Sequence, residues 1–117
     1  MIRTSVFIAA FLCTLPTFAS GFSTLNTRDS FLQMVEGRKL RQFLVWIRFD
    51  DLGQIKGRAW GRPVLGNWYW QDEKLCQRMF WGTADKGKSC VKVRIGAERV
   101  LFIPDKGGGQ IEEYILD

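Results

Sequence analysis

Basic and aromatic side chains recur along this sequence in the two-residue period of a β-strand. The residues concerned are Lys56, Arg58, Arg78, Lys92 and Arg94, together with Trp46 and Trp60. Because alternate residues of a strand face the same side, we expect the five cations to form a basic stripe on the outer surface. Such a stripe could bind phosphate, lipid A or an acidic polysaccharide through its charge. Charges that alternate with apolar residues are also typical of any half-exposed strand, so a merely solvated face is the alternative.

The sequence contains no histidine, which removes Ser-His-Asp and Cys-His catalysis, ordinary zinc sites and the commonest general base. Carboxylates remain, with Asp72 and Glu73 in an expected turn and Glu112 and Glu113 in an expected strand. Adjacent strand residues face opposite ways, so Glu112 and Glu113 cannot act on one substrate. Glycines 107 to 109 lie between two expected strands, not at the start of a helix as nucleotide binding requires. We therefore predict no catalytic residue, no metal site and no cofactor.

The first 19 residues have the pattern of a secretory signal peptide. Arg3 supplies the positive charge, residues 6 to 15 form an apolar run, and Thr17-Phe18-Ala19 has the small-x-small pattern of a cleavage site. The apolar run is shorter than the roughly 20 residues that a membrane span needs. We expect a mature chain of residues 20 to 117 with no transmembrane span, in the periplasm or secreted. Loss of Arg3 leaves a net charge of about +4, from 17 basic and 12 acidic residues in the full chain.

Signal cleavage would remove Cys13 and leave Cys76 and Cys90 in an oxidising compartment. We therefore expect these two cysteines to form a disulfide. A zinc or redox pair is the alternative, but the sequence lacks histidine ligands and the two cysteines are not in a Cys-x-x-Cys motif. In the chain-entropy model, closing a loop of this length contributes about 3 kcal/mol of stability.

The spacing of apolar residues predicts one short helix followed by strands. Phe31, Leu32 and Val35 fall at helical spacing and Gly37 ends the run, so the helix is expected over about residues 28 to 36. From residue 38 to 49 the period becomes two, which predicts one long strand. Six more strands are expected at about 54–60, 67–71, 75–81, 90–96, 99–104 and 110–116.

The connections between these seven strands are too short for parallel crossovers, so the fold class expected is all-β and the sheet an antiparallel meander. In a single domain of residues 20 to 117, curling into a small barrel or half-barrel would remove exposed edges, and the helix could plug an open end. Trp68 and Trp70 share one face of their strand and are expected to fill the core.

A series of short motifs resembles a family of small exported proteins of Gram-negative bacteria with unknown function. The motifs are Val35-Glu36-Gly37-Arg38, Gly57-Arg58, Gly66-Asn67-Trp68, Leu75-Cys76, Cys90 and Asp105-Lys106-Gly107. Some members carry the automated label dihydrodipicolinate reductase. The residues of this chain do not support that activity, because an NADPH-dependent reductase needs a nucleotide-binding βαβ fold and a longer chain.

Gly66-Asn67-Trp68 is also similar to the Gly-x-Trp motif of lipocalins, which bind apolar ligands inside a barrel. In lipocalins that motif lies in the first strand, whereas two strands precede it here.

These observations lead us to expect a non-enzymatic module that binds a ligand or partner through Trp46, Trp60 and the basic stripe. The partner could be an anionic envelope component or a protein, and the compartment argues against nucleic acid. One alternative is a hydrolase inhibitor, since exported lysozyme inhibitors are small disulfide-bonded barrels, although a net charge near +4 would repel a basic lysozyme. Another alternative is a carboxylate-dependent hydrolase, which needs two carboxyl groups about 5 to 10 Å apart in a cleft.

Overall fold

A computed structural model describes residues 21–105 and 109–117; the expected signal peptide, residues 1–19, lies outside these ranges. The described residues form one helix, α1 (Arg28–Val35), and nine strands. The strands are β1 (Ser23–Leu25), β2 (Leu40–Gln42), β3 (Val45–Phe49), β4 (Gln54–Ala59), β5 (Arg62–Gln71), β6 (Lys74–Trp81), β7 (Ala84–Ile95), β8 (Arg99–Pro104) and β9 (Glu112–Leu116).

Strands β2 to β9 form a closed antiparallel barrel in which each strand pairs with the next one along the chain. The ring closes where β9 pairs with β2, with Leu40 opposite Leu116. Backbone hydrogen bonds between Lys39 and Asp117 continue this pairing, at 3.2 and 2.9 Å. The predicted fold class, an antiparallel meander curled into a small barrel with one short helix, is confirmed.

The strand count differs from the expected seven in two places. Residues 38 to 49 are not one strand, because the chain reverses at Phe43 and Leu44 between β2 and β3. This two-residue turn has no glycine, proline, asparagine or aspartate to mark it, and Leu44 adopts a left-handed φ of 58°. The second difference is β1, whose three residues pair with the end of β7 that β6 does not reach.

Two hairpins are longer than the turn residues suggested. β5 begins at Arg62 because the preceding turn is Trp60-Gly61 alone, and Pro63 already pairs with Arg58 of β4. Much of the loop expected over residues 82 to 89 belongs to β7, which pairs with β6 from Ala84 onward.

Side chains alternate between the barrel interior and the outer surface as the sequence pattern indicated. Val91, Val93 and Ile95 of β7 are buried, whereas Lys92 and Arg94 are exposed. Trp68 is buried in the core, and Trp70 is half-buried against it.

Helix α1 covers one end of the barrel, the plugged end. Thr27 caps the helix, accepting a hydrogen bond from the Ser30 backbone N–H at 3.1 Å. Phe31 is fully buried, with its ring 5.3 to 5.4 Å from the rings of the aromatic residues at the ends of β3 and β5. These residues are Phe49, Trp68 and Trp70. The opposite end, called the far end below, carries the β2–β3, β4–β5 and β6–β7 turns, the end of β8 and the start of β9.

The expected disulfide between Cys76 and Cys90 is present. The two residues lie directly opposite each other on β6 and β7, with Cα atoms 4.0 Å apart. The bridge therefore joins two neighbouring strands on the outer face of the barrel.

Reduction of this disulfide is expected to lower the free energy of unfolding by about 3 kcal/mol, because the bridge closes a loop of sequence separation 14 in the unfolded chain. Urea denaturation with and without reductant measures the change. A Cys76→Ala/Cys90→Ala variant is the control, since its midpoint should not respond to reductant. An unchanged wild-type midpoint would contradict the prediction.

Candidate functional site

Three of the residues expected on the outer surface lie together on β3 and β4. Trp46 is opposite Arg58, and Lys56 is opposite Arg48. The Trp46 ring is half-buried, with Lys39 Nζ 4.5 Å and the Arg48 guanidinium 5.4 Å from its centroid. This geometry permits cation–π contacts within the protein itself, so part of the Trp46 face is already occupied.

Trp60 lies in the β4–β5 turn and not on the strand face where alternation placed it. Its backbone φ is 54°, and its side chain is largely exposed. Trp60 therefore sits in a turn at the far end of the barrel, where the Arg58 guanidinium donates a hydrogen bond to the Gly61 carbonyl at 3.2 Å.

The remaining stripe residues lie on β6 and β7. Arg78 forms an ion pair with Asp85 at 2.7 Å, and Arg94 donates a hydrogen bond to the Phe22 carbonyl. Lys92 is exposed on β7. Between this group and β4 runs β5, whose outward residues beyond Arg62 are uncharged: Pro63, Leu65, Asn67, Tyr69 and Gln71. The stripe is therefore divided into two groups, and a binding role for either stays a prediction.

The described residues line a cavity of about 270 Å³ that is partly open to solvent, at the far end on the β6–β9 side of the barrel. Apolar side chains form much of its lining: Met79, Val91, Phe102 and Pro104. Polar side chains reach it from three strands, β6, β7 and β9, and from the segment before β9: Gln77, Trp81, Lys86, Ser89, Gln110, Glu112 and Tyr114.

Two buried polar atoms in this lining have no hydrogen-bond partner among the described residues. They are the amide oxygen Oε1 of Gln77 and the indole Nε1 of Trp81. Gln77 is only 8% exposed, so its oxygen cannot be fully hydrated from the surface. A buried polar group without a partner costs about 1 to 3 kcal/mol, and native proteins rarely leave one. One acceptor and one donor are thus free to bind a molecule in the cavity.

Glu112 places a carboxylate on the cavity wall. Its Oε2 accepts hydrogen bonds from Tyr114 Oη at 2.8 Å and from Gln42 Nε2 at 3.3 Å. Burial raises the pKa of the Tyr114 phenol, and the neighbouring Glu112 charge raises it further, so the phenol remains a donor. Glu113 faces outward and forms an ion pair with Arg99 at 2.7 Å. The two carboxylates thus face opposite ways, as alternation indicated.

A β-bulge in β7 brings a cation to the cavity. Residues 86 and 87 together face Met79 of β6, and Gly87 has a φ of 81°. The Asp85 carboxylate accepts from the Gly87 N–H at 2.8 Å, and its pKa is lowered chiefly by Arg78 and also by that N–H. The extra residue changes which side of β7 the neighbouring side chains face. As a result, Lys86 reaches the cavity wall, with its Nζ 4.3 Å from the Trp81 ring centroid.

Sequence reasoning did not identify Gln77, Trp81 or Glu112 as site residues. On β6, Gln77 and Trp81 occupy the same set of alternate positions as the buried residues Leu75 and Met79. The two-residue period of a strand therefore predicts that they face the barrel interior. An inward glutamine within an apolar pattern is the signal that could have drawn attention to this strand. The lack of a partner, however, depends on neighbouring strands.

Comparisons with protein-family models, curated proteins and solved structures find no match. Within residues 21–105 and 109–117, no helix is long and apolar enough to cross a membrane. No group of three or more His, Cys, Asp or Glu side chains in those ranges could hold a metal ion.

Replacing Gln77 with methionine, which has a similar shape, is expected to stabilise the unliganded protein by about 1 kcal/mol, because the variant buries no unpartnered acceptor. Urea denaturation measures the difference. Gln54→Met is the matched control, since Gln54 is exposed on β4 and should have little effect on stability. A loss of stability in Gln77→Met would mean that the amide has partners in the folded protein.

Proposed function

We propose that this chain is an exported, non-enzymatic binding protein that takes a small molecule into the cavity at the far end. The observation that carries the proposal is the pair of unpartnered atoms, Gln77 Oε1 and Trp81 Nε1, in the cavity lining. Eight-stranded barrels are either filled by their own side chains or hold one small ligand. In this barrel the helix and its aromatic contacts fill the plugged end, which leaves the far end for a ligand.

The lining indicates the chemistry of the ligand. Gln77 Oε1 would accept a hydrogen bond from a ligand N–H or O–H, and Trp81 Nε1 would donate one to a ligand oxygen or nitrogen. Met79, Val91 and Phe102 would contact an apolar body. The volume of about 270 Å³ lies just below the roughly 300 to 1,000 Å³ of drug-sized sites, which favours a small ring bearing an amide or hydroxyl group.

Export is part of the proposal and rests on the signal-like residues 1 to 19. The Cys76–Cys90 disulfide supports it, because such bonds persist in oxidising compartments. We place the protein in the periplasm or outside the cell, as a member of the family of small exported proteins that it resembles.

The enzymatic alternative receives no support from the cavity. A carboxylate-dependent hydrolase needs a second carboxyl group facing the first, and Glu112 is the one carboxylate in the described lining. No feature of the described residues specifically favours the inhibitor alternative.

Benzamide, phenol and toluene are suitable probes, because they share a small aromatic body and differ in the polar group. We expect benzamide and phenol to shift the Trp81 indole N–H signal in NMR spectra, with dissociation constants of about 1 mM or below. Toluene, which has no hydrogen-bonding group, should bind more weakly.

Gln77→Met and Trp81→Phe should weaken benzamide binding about tenfold, since each removes one hydrogen-bonding group. Ligand-observed NMR measures this affinity in all variants, because Trp81→Phe has no indole signal. Trp60→Phe is the control and should bind as the wild type does, because Trp60 lies outside the cavity lining. The proposal fails if none of the probes shifts the Trp81 signal, or if the two cavity variants bind benzamide with wild-type affinity.

A further inference from the structure

Three large apolar side chains are exposed on two neighbouring turns at the far end. Phe43, Leu44 and Trp60, called the aromatic tip below, are 79%, 54% and 60% exposed. The Trp60 backbone N–H donates to the Leu44 carbonyl at 2.9 Å, so the two turns are held together. The Phe43 and Trp60 rings lie edge to face, with centroids 5.8 Å apart. The tip is thus one ordered apolar surface formed by two turns.

The backbone at the tip is unfavourable for the residues it carries. Leu44 has a φ of 58° and Trp60 a φ of 54°, a left-handed conformation that favours glycine and asparagine in such turns. Since both side chains are largely exposed, little burial within the barrel offsets this cost. Strained positions of this kind cluster at functional sites.

The half of the barrel that carries the tip is strongly basic. Between residues 38 and 71 the only acids are Asp50 and Asp51, which lie in the β3–β4 turn at the plugged end. Arg48, Lys56 and Arg58 face outward on β3 and β4, and with Arg62 they form no ion pair with any described residue. Seven of the 12 acids lie at the other end from the tip, in the helix, its C-cap and the turns at the plugged end: Asp29, Glu36, Asp50, Asp51, Asp72, Glu73 and Glu98.

The geometry points to a lipid bilayer with anionic headgroups as the partner of this surface. The aromatic tip would enter the interfacial region, where tryptophan is enriched, while the cations of β3, β4 and Arg62 contact lipid phosphates. A tip formed by two protruding turns is suited to insertion between headgroups. This surface shares no residue with the lining of the cavity, so the inference stands independently of the proposed ligand.

The test uses the exported, disulfide-bonded protein, with its N-terminus verified by mass spectrometry so that no uncleaved signal contributes. We expect it to co-sediment with vesicles of equimolar phosphatidylcholine and phosphatidylglycerol and to bind pure phosphatidylcholine at least about tenfold more weakly. Raising the salt concentration should weaken binding to the anionic vesicles, because exposed charges are screened.

A Leu44→Gly/Trp60→Asn variant separates docking from folding. It should lose at least about tenfold in vesicle binding, since it removes most of the apolar tip. Its melting temperature should be unchanged or higher, because glycine and asparagine adopt positive φ more readily. Leu52→Ser is the matched control: Leu52 is 80% exposed but lies at the plugged end, so this variant should bind as the wild type does.

Three results would overturn the inference. The first is a wild-type protein that does not prefer anionic vesicles, and the second is full binding by Leu44→Gly/Trp60→Asn. The third is a wild-type dimer, detected by sedimentation velocity, that the same variant dissociates; the tip would then bind a second copy of this chain.

Discussion

The pairing of β2 with β9 is the constraint on which the rest of this barrel depends. Only a few residues form it, with Leu40 opposite Leu116 and backbone hydrogen bonds between Lys39 and Asp117. Because successive side chains of a strand face opposite ways, closing the ring separates every strand into an inner and an outer set. Glu112 consequently lines the cavity, whereas Glu113 forms an ion pair with Arg99 on the outer surface. Without the β2–β9 pairing, the side of the cavity formed by β9 would be open.

The helix gives the two ends of the barrel different physical characters. At the plugged end, Phe31 is enclosed by aromatic rings, and the indole N–H groups of Trp68 and Trp70 each donate to a backbone carbonyl. Hydrogen bonds and apolar contacts are satisfied together there, as in an ordinary core. At the far end, Trp81 is a third indole on the inward side of its strand, and its N–H has no partner among the described residues. The same residue type is thus structural at one end and available to a ligand at the other.

The spacing of apolar residues and the turn chemistry were sufficient to predict the barrel class, the helix and the inward face of β7. The disulfide was predicted separately, from the two cysteines that remain after the expected signal cleavage. Spacing and turn chemistry failed at Phe43-Leu44, because this turn uses residues that favour strands and adopts a left-handed φ without a glycine. They also failed at residues 84 to 89, which were expected between two strands but belong to β7, where a bulge reverses the facing of Lys86. Both features are set by the register in which two consecutive strands pair, which the pattern of a single strand does not determine. A local pattern therefore indicates which residues are apolar but not where the register changes.

The candidate site was harder to predict than the fold, for a related reason. Gln77 differs little from any other polar residue in the sequence, and its significance comes from the groups that fail to reach it across the cavity. Two kinds of unfavourable feature lie on opposite halves of the far end: unpartnered polar atoms on β6, and apolar residues with left-handed φ in the turns that flank β3 and β4. The disulfide ties β6 to β7, and the closed ring holds the other strands, so the fold retains both features despite their cost. Because the two sets share no contact with each other among the interactions described, each can be removed while the other remains intact.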